Sequence, residues 1–96
     1  MKPSAALNHH RMAVGETVGR FRVKNPRVFG SVLTGTDTDA SDLDLLVDPL
    51  PRTTLFDLGG LQEERQQLLG VRVDVLTPGG LPRKMRAAIV AEAMPV

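Results

Sequence analysis

Between Phe29 and Asp48 the chain reads FGSVLTGTDTDASDLDLLVD, and its last part, from Asp42 to Val47, sets the tightest limit on what the protein can fold into. Acidic and apolar residues alternate there with a period of two, the pattern of a β-strand buried on one face. Leu43, Leu45 and Val47 are therefore expected on one side, and Asp42, Asp44 and Leu46 on the other. Two carboxylates two apart on a strand point the same way with Cα atoms about 6.5 to 7 Å apart, so they can converge on one hard cation. The plain alternative is a half-exposed strand turning its charges outward. Because Asp disfavours strands, two on one strand favour a functional site.

Just upstream, Arg27 to Ser31 reads as a short strand carrying the apolar pair Val28-Phe29 and ending at Gly30. The turn that follows reaches Gly35. Glycine permits backbone conformations and close contacts that other residues forbid, and the Ser31 hydroxyl with neighbouring N–H groups is suited to phosphate oxygens. A Gly-Ser pair alone is an ordinary loop, and only its place before the paired aspartates makes it informative. One helical turn fits within residues 32–40, ahead of an acidic loop from Thr36 to Ala40.

The flanking segments supply a scaffold. Leu7, Val14, Val18 and Phe21 form one helical stripe, which predicts an amphipathic helix over residues 5–23, with His10 at the edge of the core and no role for either histidine in the site. Lys24-Asn25-Pro26 breaks it. Thr54, with Asp57 three positions later, is a plausible cap for a helix from Leu55 to Leu69 that Gly70 ends, with Leu58, Leu61, Arg65 and Leu68 on one side. The Gly59-Gly60 pair inside it marks a close backbone approach. Residues 71–76 alternate again, with Val71, Val73 and Val75 facing one way and Arg72 and Asp74 the other. A helix-length crossover between the second and third strands makes them parallel neighbours, which brings Asp74 about 5 Å from the paired aspartates. Three carboxylates at that spacing suit magnesium. Pro82 opens a last helix to about Ala93, with Leu81, Met85, Ala88 and Ile89 toward the core, before Pro95 stops it.

Charge and composition exclude several classes. With no cysteine, disulfides, thiolate nucleophiles and cysteine-bound zinc are ruled out. The apolar runs are too short for a membrane span and no signal-peptide core is visible, so a cytoplasmic location is the default expectation. No Gly-Lys-Thr/Ser motif of a P-loop occurs. The net charge of +1 hides an asymmetry: from Val28 to Pro51 there are five aspartates and no Lys or Arg. Arg83, Lys84 and Arg86 cluster near the C-terminus, but three phenylalanines are too few for a base-stacking platform, which argues against nucleic acid as a partner.

The pattern Gly30-Ser31, then Gly35, then Ser41-Asp42-Leu43-Asp44-Leu45 resembles the signature of the DNA polymerase beta-like nucleotidyltransferase superfamily, and the order of elements looks like its minimal bacterial members. The resemblance covers nearly the whole chain. It implies one α/β domain, a small mixed three-stranded sheet flanked by helices in the order α-β-α-β-α-β-α. It also implies that Asp42, Asp44 and Asp74 bind magnesium, two ions in all, and that Gly30, Ser31, Gly35 and Ser41 line the site for ATP. One departure stands out, since many minimal members have Arg where this chain has Thr34. The resemblance further implies an antitoxin that transfers AMP to a tyrosine of a partner HEPN-domain toxin. A fold that inhibits its partner by contact alone is the alternative, and self-association is left open. With three strands and their helices assigned, no segment is left to bind an acceptor, which is expected to be a separate protein.

Overall fold

The computed structural model describes residues 1–16 and 18–96. Helix α1 spans Pro3–Gly15, a short 3-10 turn covers Val18–Phe21, and β1 runs Val23–Phe29. There follow α2 (Ser31–Thr34), β2 (Leu43–Pro49), α3 (Leu55–Leu69), β3 (Val73–Leu76), α4 (Arg83–Glu92) and β4 (Met94–Pro95). The strands form one mixed sheet in the order β3-β2-β1-β4. β2 and β3 are parallel, as the crossover length predicts, while β1 is antiparallel to both β2 and β4.

The sheet thus has four strands rather than the expected three. Pro95 stops α4, but Met94 and Pro95 then pair with Val28 and Arg27, and the Val96 N–H donates to the Pro26 carbonyl at 3.2 Å. A proline is tolerated there because β4 is an edge strand.

β1 also starts four residues earlier than Arg27. Its register slips between Lys24 and Arg27, and Asn25 takes a left-handed φ of 57°. Asparagine tolerates that conformation and proline lacks an N–H to pair, so Asn25-Pro26 makes a bulge inside the strand instead of ending it.

The first helix is shorter than its stripe. α1 loses helical geometry at His10 (φ −127°, ψ 22°) and gives way to an extended Glu16 after Gly15. The expected helix at Thr17 lies outside the described residues. Leu7, Val14 and Val18 are buried as the stripe requires, although Val18 sits on the 3-10 turn, and His10 is exposed rather than at the core edge.

α3 has the expected bounds because its ends carry their own chemistry. The Thr54 hydroxyl accepts the Asp57 N–H at 3.2 Å, the Asp57 carboxylate accepts the Thr54 N–H at 2.9 Å, and Gly70 closes the helix at φ 69°. Its inward face is Leu61, Arg65 and Leu69; Leu68, expected inward, is 37% exposed. A Cβ on Gly60 would lie 3.3 Å from the Phe21 ring, while none is near Gly59, so the close approach belongs to Gly60 alone.

One sheet face buries Val28, Leu43, Leu45 and Val73 beneath Ala6, Leu7 and Val14 of α1 and Leu69 of α3. Leu46 belongs to the opposite face, where it packs with Phe29, Leu81 and Ile89. α4 covers that face loosely: it has no buried residue, Ala88 is exposed, and Met85, expected inward, is 54% exposed. Among the described residues no helix is long and apolar enough to cross a membrane.

Candidate active site

The structure sorts the five aspartates of residues 37–48. Asp37 is buried and accepts the Ser4 N–H at 2.8 Å, which ties the acidic loop to the first turn of α1. That bond holds its carboxyl below the ordinary range. Asp48 pairs with Arg27 at 2.6 Å and accepts from the Asn25 amide at 3.1 Å, fastening the β1 bulge to β2. Asp39 is exposed, 3.9 Å from the terminal amine. Only Asp42 and Asp44 remain for the site.

Asp44 is at its centre. Across the antiparallel ladder it pairs with Phe29, and across the parallel one with Asp74. The expected adjacency of Asp44 and Asp74 is therefore met in register. Burial pushes the Asp44 carboxyl up to about 6, with the charges of Asp74 and then Asp42 adding to the effect. Asp74 itself is exposed, at the open edge of the sheet.

Asp42 is turned elsewhere: the Arg72 Nε donates to its carboxylate at 2.8 Å. Among the described residues no three acidic or histidine side chains stand close enough together to hold a metal ion. Arg72 is the functional candidate that sequence reasoning passed over. Its signal was its place beside Asp74 on one strand face; what was missing was the register that puts it next to Asp42.

Gly30 and Ser31 lie where the turn was expected, at the end of β1. Gly30 has φ 75° and ψ −150°, a conformation essentially closed to other residues, and a Cβ there would meet the Asp44 Oδ2. Ser31 opens α2, a single turn, and Gly35 ends it at φ 75° with open space around its Cα. Gly35 is thus needed for its left-handed backbone and not for a close approach. The Thr34 hydroxyl donates to the Gly30 and Ser31 carbonyls at 3.3 and 3.4 Å and shares a 2.9 Å bond with Thr36. Ser41 is used by its own loop, its hydroxyl accepting the Thr38 N–H at 2.8 Å.

The arrangement is thus a glycine turn set against a strand carboxylate, with a second carboxylate in register on the neighbouring strand. A family profile described as a nucleotidyltransferase domain matches residues 11–96, and the chain belongs to that family. Within it the likeness is to the minimal nucleotidyltransferases. A solved structure whose protein provisionally bears that name superposes with a TM-score of 0.85 at 39% identity, covering 97% of this chain and 95% of that one. The protein adenylyltransferase MntA of Thermococcus cleftensis is 34% identical over 88 residues, 92% of this chain and 86% of its own length. A Methanocaldococcus jannaschii protein provisionally named a protein adenylyltransferase is 35% identical over 74 residues, 77% of this chain and 80% of its own. The chain is a nucleotidyltransferase.

Proposed function

We propose that this nucleotidyltransferase moves the adenylyl group of ATP onto a hydroxyl of a partner protein, with Asp42, Asp44 and Asp74 holding magnesium and Gly30, Ser31, Gly35 and Ser41 at the nucleotide's phosphate end. The observation that carries the reading is Asp44, set between the Gly30 backbone and its register partner Asp74 in a chain 34% identical to a protein adenylyltransferase.

In donor chemistry the three aspartates suit a divalent cation, although with Asp42 turned to Arg72 they do not stand together around one point. Their donors are carboxylate oxygens alone, the set that hard cations take, and the burial and repulsion that raise Asp44 are relieved by a positive ion. Such an ion, when bound, polarises the phosphoryl oxygens and neutralises the charge that develops on them. Asp42 reaches it only by leaving Arg72. Gly30 lets the phosphate turn lie against Asp44 with no side chain between. Asp74, exposed beside Asp44, takes the proton of the acceptor hydroxyl as that oxygen bonds to the α-phosphorus. The bond from the α-phosphorus to the bridging oxygen breaks, and pyrophosphate leaves with its electron pair.

The acceptor in this reading is a tyrosine of a HEPN-domain ribonuclease toxin, and the chain is its cytoplasmic antitoxin. ATP labelled at the α-phosphate labels the toxin in the presence of magnesium, and ATP labelled at the γ-phosphate does not. Label from neither, with magnesium or manganese, contradicts the catalytic reading. Thr34 supports a second one, since its hydroxyl serves its own turn and brings no cation to it. Inhibition that survives an Asp42→Asn, Asp44→Asn double substitution selects inhibition by contact alone.

A further inference from the structure

The pair between Arg72 and Asp42 does little for the fold. The Asp42 side chain is 32% exposed and that of Arg72 is 78% exposed, and an ion pair at such a solvent edge contributes at most a small stabilisation. It nonetheless occupies one of the three carboxylates proposed to hold the cation. From Val28 to Pro51 the chain carries no Lys or Arg, and Thr34 spends its hydroxyl on neighbouring carbonyls and Thr36. Among the described residues Arg72 is the cation paired with a carboxylate of the candidate site.

Register adds a spatial argument. The ladders end at Phe29 with Asp44 and at Leu43 with Val73. One step further along the parallel pair sets Asp42 beside Arg72, and the Leu43 N–H donates to the Arg72 carbonyl at 2.8 Å. A guanidinium and a carboxylate of the candidate site thus meet just past the end of the ladder that pairs Asp44 with Asp74.

We propose that Arg72 is an exchangeable counter-ion of the site. Its guanidinium neutralises Asp42 while no divalent cation is bound, gives up the carboxylate when one binds, and then serves as the positive group facing the polyphosphate of the nucleotide. This rests on the reading of Asp42, Asp44 and Asp74 as cation ligands. A guanidinium that must be displaced competes with the ion, and once displaced its planar fork matches phosphate oxygens two at a time. Arg72 is in this sense a substrate-positioning residue, and its mostly exposed side chain makes it replaceable without loss of the fold.

The test is Mn2+ titration of the full chain, following the free ion by electron paramagnetic resonance, with and without a non-hydrolysable ATP analogue. Arg72→Gln is expected to bind Mn2+ alone about two- to fivefold more tightly than wild type, the scale of an exposed ion pair removed. The same variant binds the Mn2+–analogue complex about tenfold more weakly, the scale of a lost charged hydrogen bond, and Arg72→Lys recovers part of that loss. Equal Mn2+ affinity in wild type and Arg72→Gln, with binding abolished by Asp44→Asn, overturns the counter-ion role while leaving the ligand reading intact. Unchanged affinity for the analogue in Arg72→Gln overturns the phosphate-facing role. Mn2+ binding indifferent to Asp44→Asn overturns the ligand reading and the proposal with it.

Discussion

A Cβ placed on Gly30 would run into the Asp44 Oδ2, so the end of β1 and the central carboxylate of β2 keep their present fit because residue 30 has no side chain. The Gly30 backbone, at φ 75° and ψ −150°, imposes the same requirement independently. Gly30→Ala is expected to cost about 1 to 3 kcal/mol of stability and to push the Asp44 carboxylate out of place. Thermal unfolding reads the first effect and Mn2+ affinity the second. A variant with unchanged melting and unchanged affinity would show that the contact does not organise the site.

Asp44 also makes stability depend on pH in a stated direction. Its carboxyl titrates at about 6 in the folded protein against an ordinary 3.8, so folding favours its protonated form. The stabilisation that protonation provides is fully present below about pH 4 and is lost as pH rises through 6. Asp44→Asn, which stays neutral, is expected to be more stable than wild type at pH 8 in the presence of a chelator, by on the order of 1 kcal/mol once solvent screening is allowed for, and equal to it at pH 4. Magnesium at pH 8 stabilises the wild type and not the variant. Urea unfolding across that range is the measurement.

How much of the fold and site is legible in the sequence follows the range of the interactions involved. α3 was legible to the residue because Thr54, Asp57 and Gly70 act within a few positions of one another. The face of β2 was legible because alternation is local, and the β2–β3 pairing because a crossover of helix length permits little else. β4 was not, since two exposed residues have no periodicity and their pairing with β1 is a long-range event. Pro26 suggested an end where the strand instead bulges, because Asn25 takes up the irregular backbone. In the site, Asp44 and Asp74 could be placed together from the strand order, whereas the turning of Asp42 toward Arg72 depends on register, which no single segment encodes.

Arg65 supplies a test of the scaffold. It is buried to 1% exposure, and its guanidinium donates to the carbonyls of Val14 at 3.2 Å and Glu16 at 2.6 Å, closing the end of α1 from within α3. Arg65→Met keeps the volume but orphans both carbonyls, and a cost of about 2 to 4 kcal/mol is expected by urea unfolding. A loss of less than about 0.5 kcal/mol, the scale of a surface change, would mean that water replaces the guanidinium there.

The Thr54–Asp57 capping pair is local and Thr54 is exposed, so its effect is expected to be smaller and separable. Thr54→Ala is expected to lose about 1 kcal/mol, with no change in Mn2+ affinity, because the cap follows the C-terminal end of β2 whereas Asp42 and Asp44 lie at its start. Thermal melts and Mn2+ titrations on the same sample check both halves.

Whether Asp44 organises the proposed adenylyl transfer to a protein is read from the intact mass of the partner. The HEPN-domain toxin is incubated with ATP and magnesium together with either the wild-type chain or Asp44→Asn. A toxin carrying added AMP on a tyrosine hydroxyl is expected with the wild type, and an unmodified toxin with the variant. An unmodified toxin in both reactions, or the same modification in both, would contradict it.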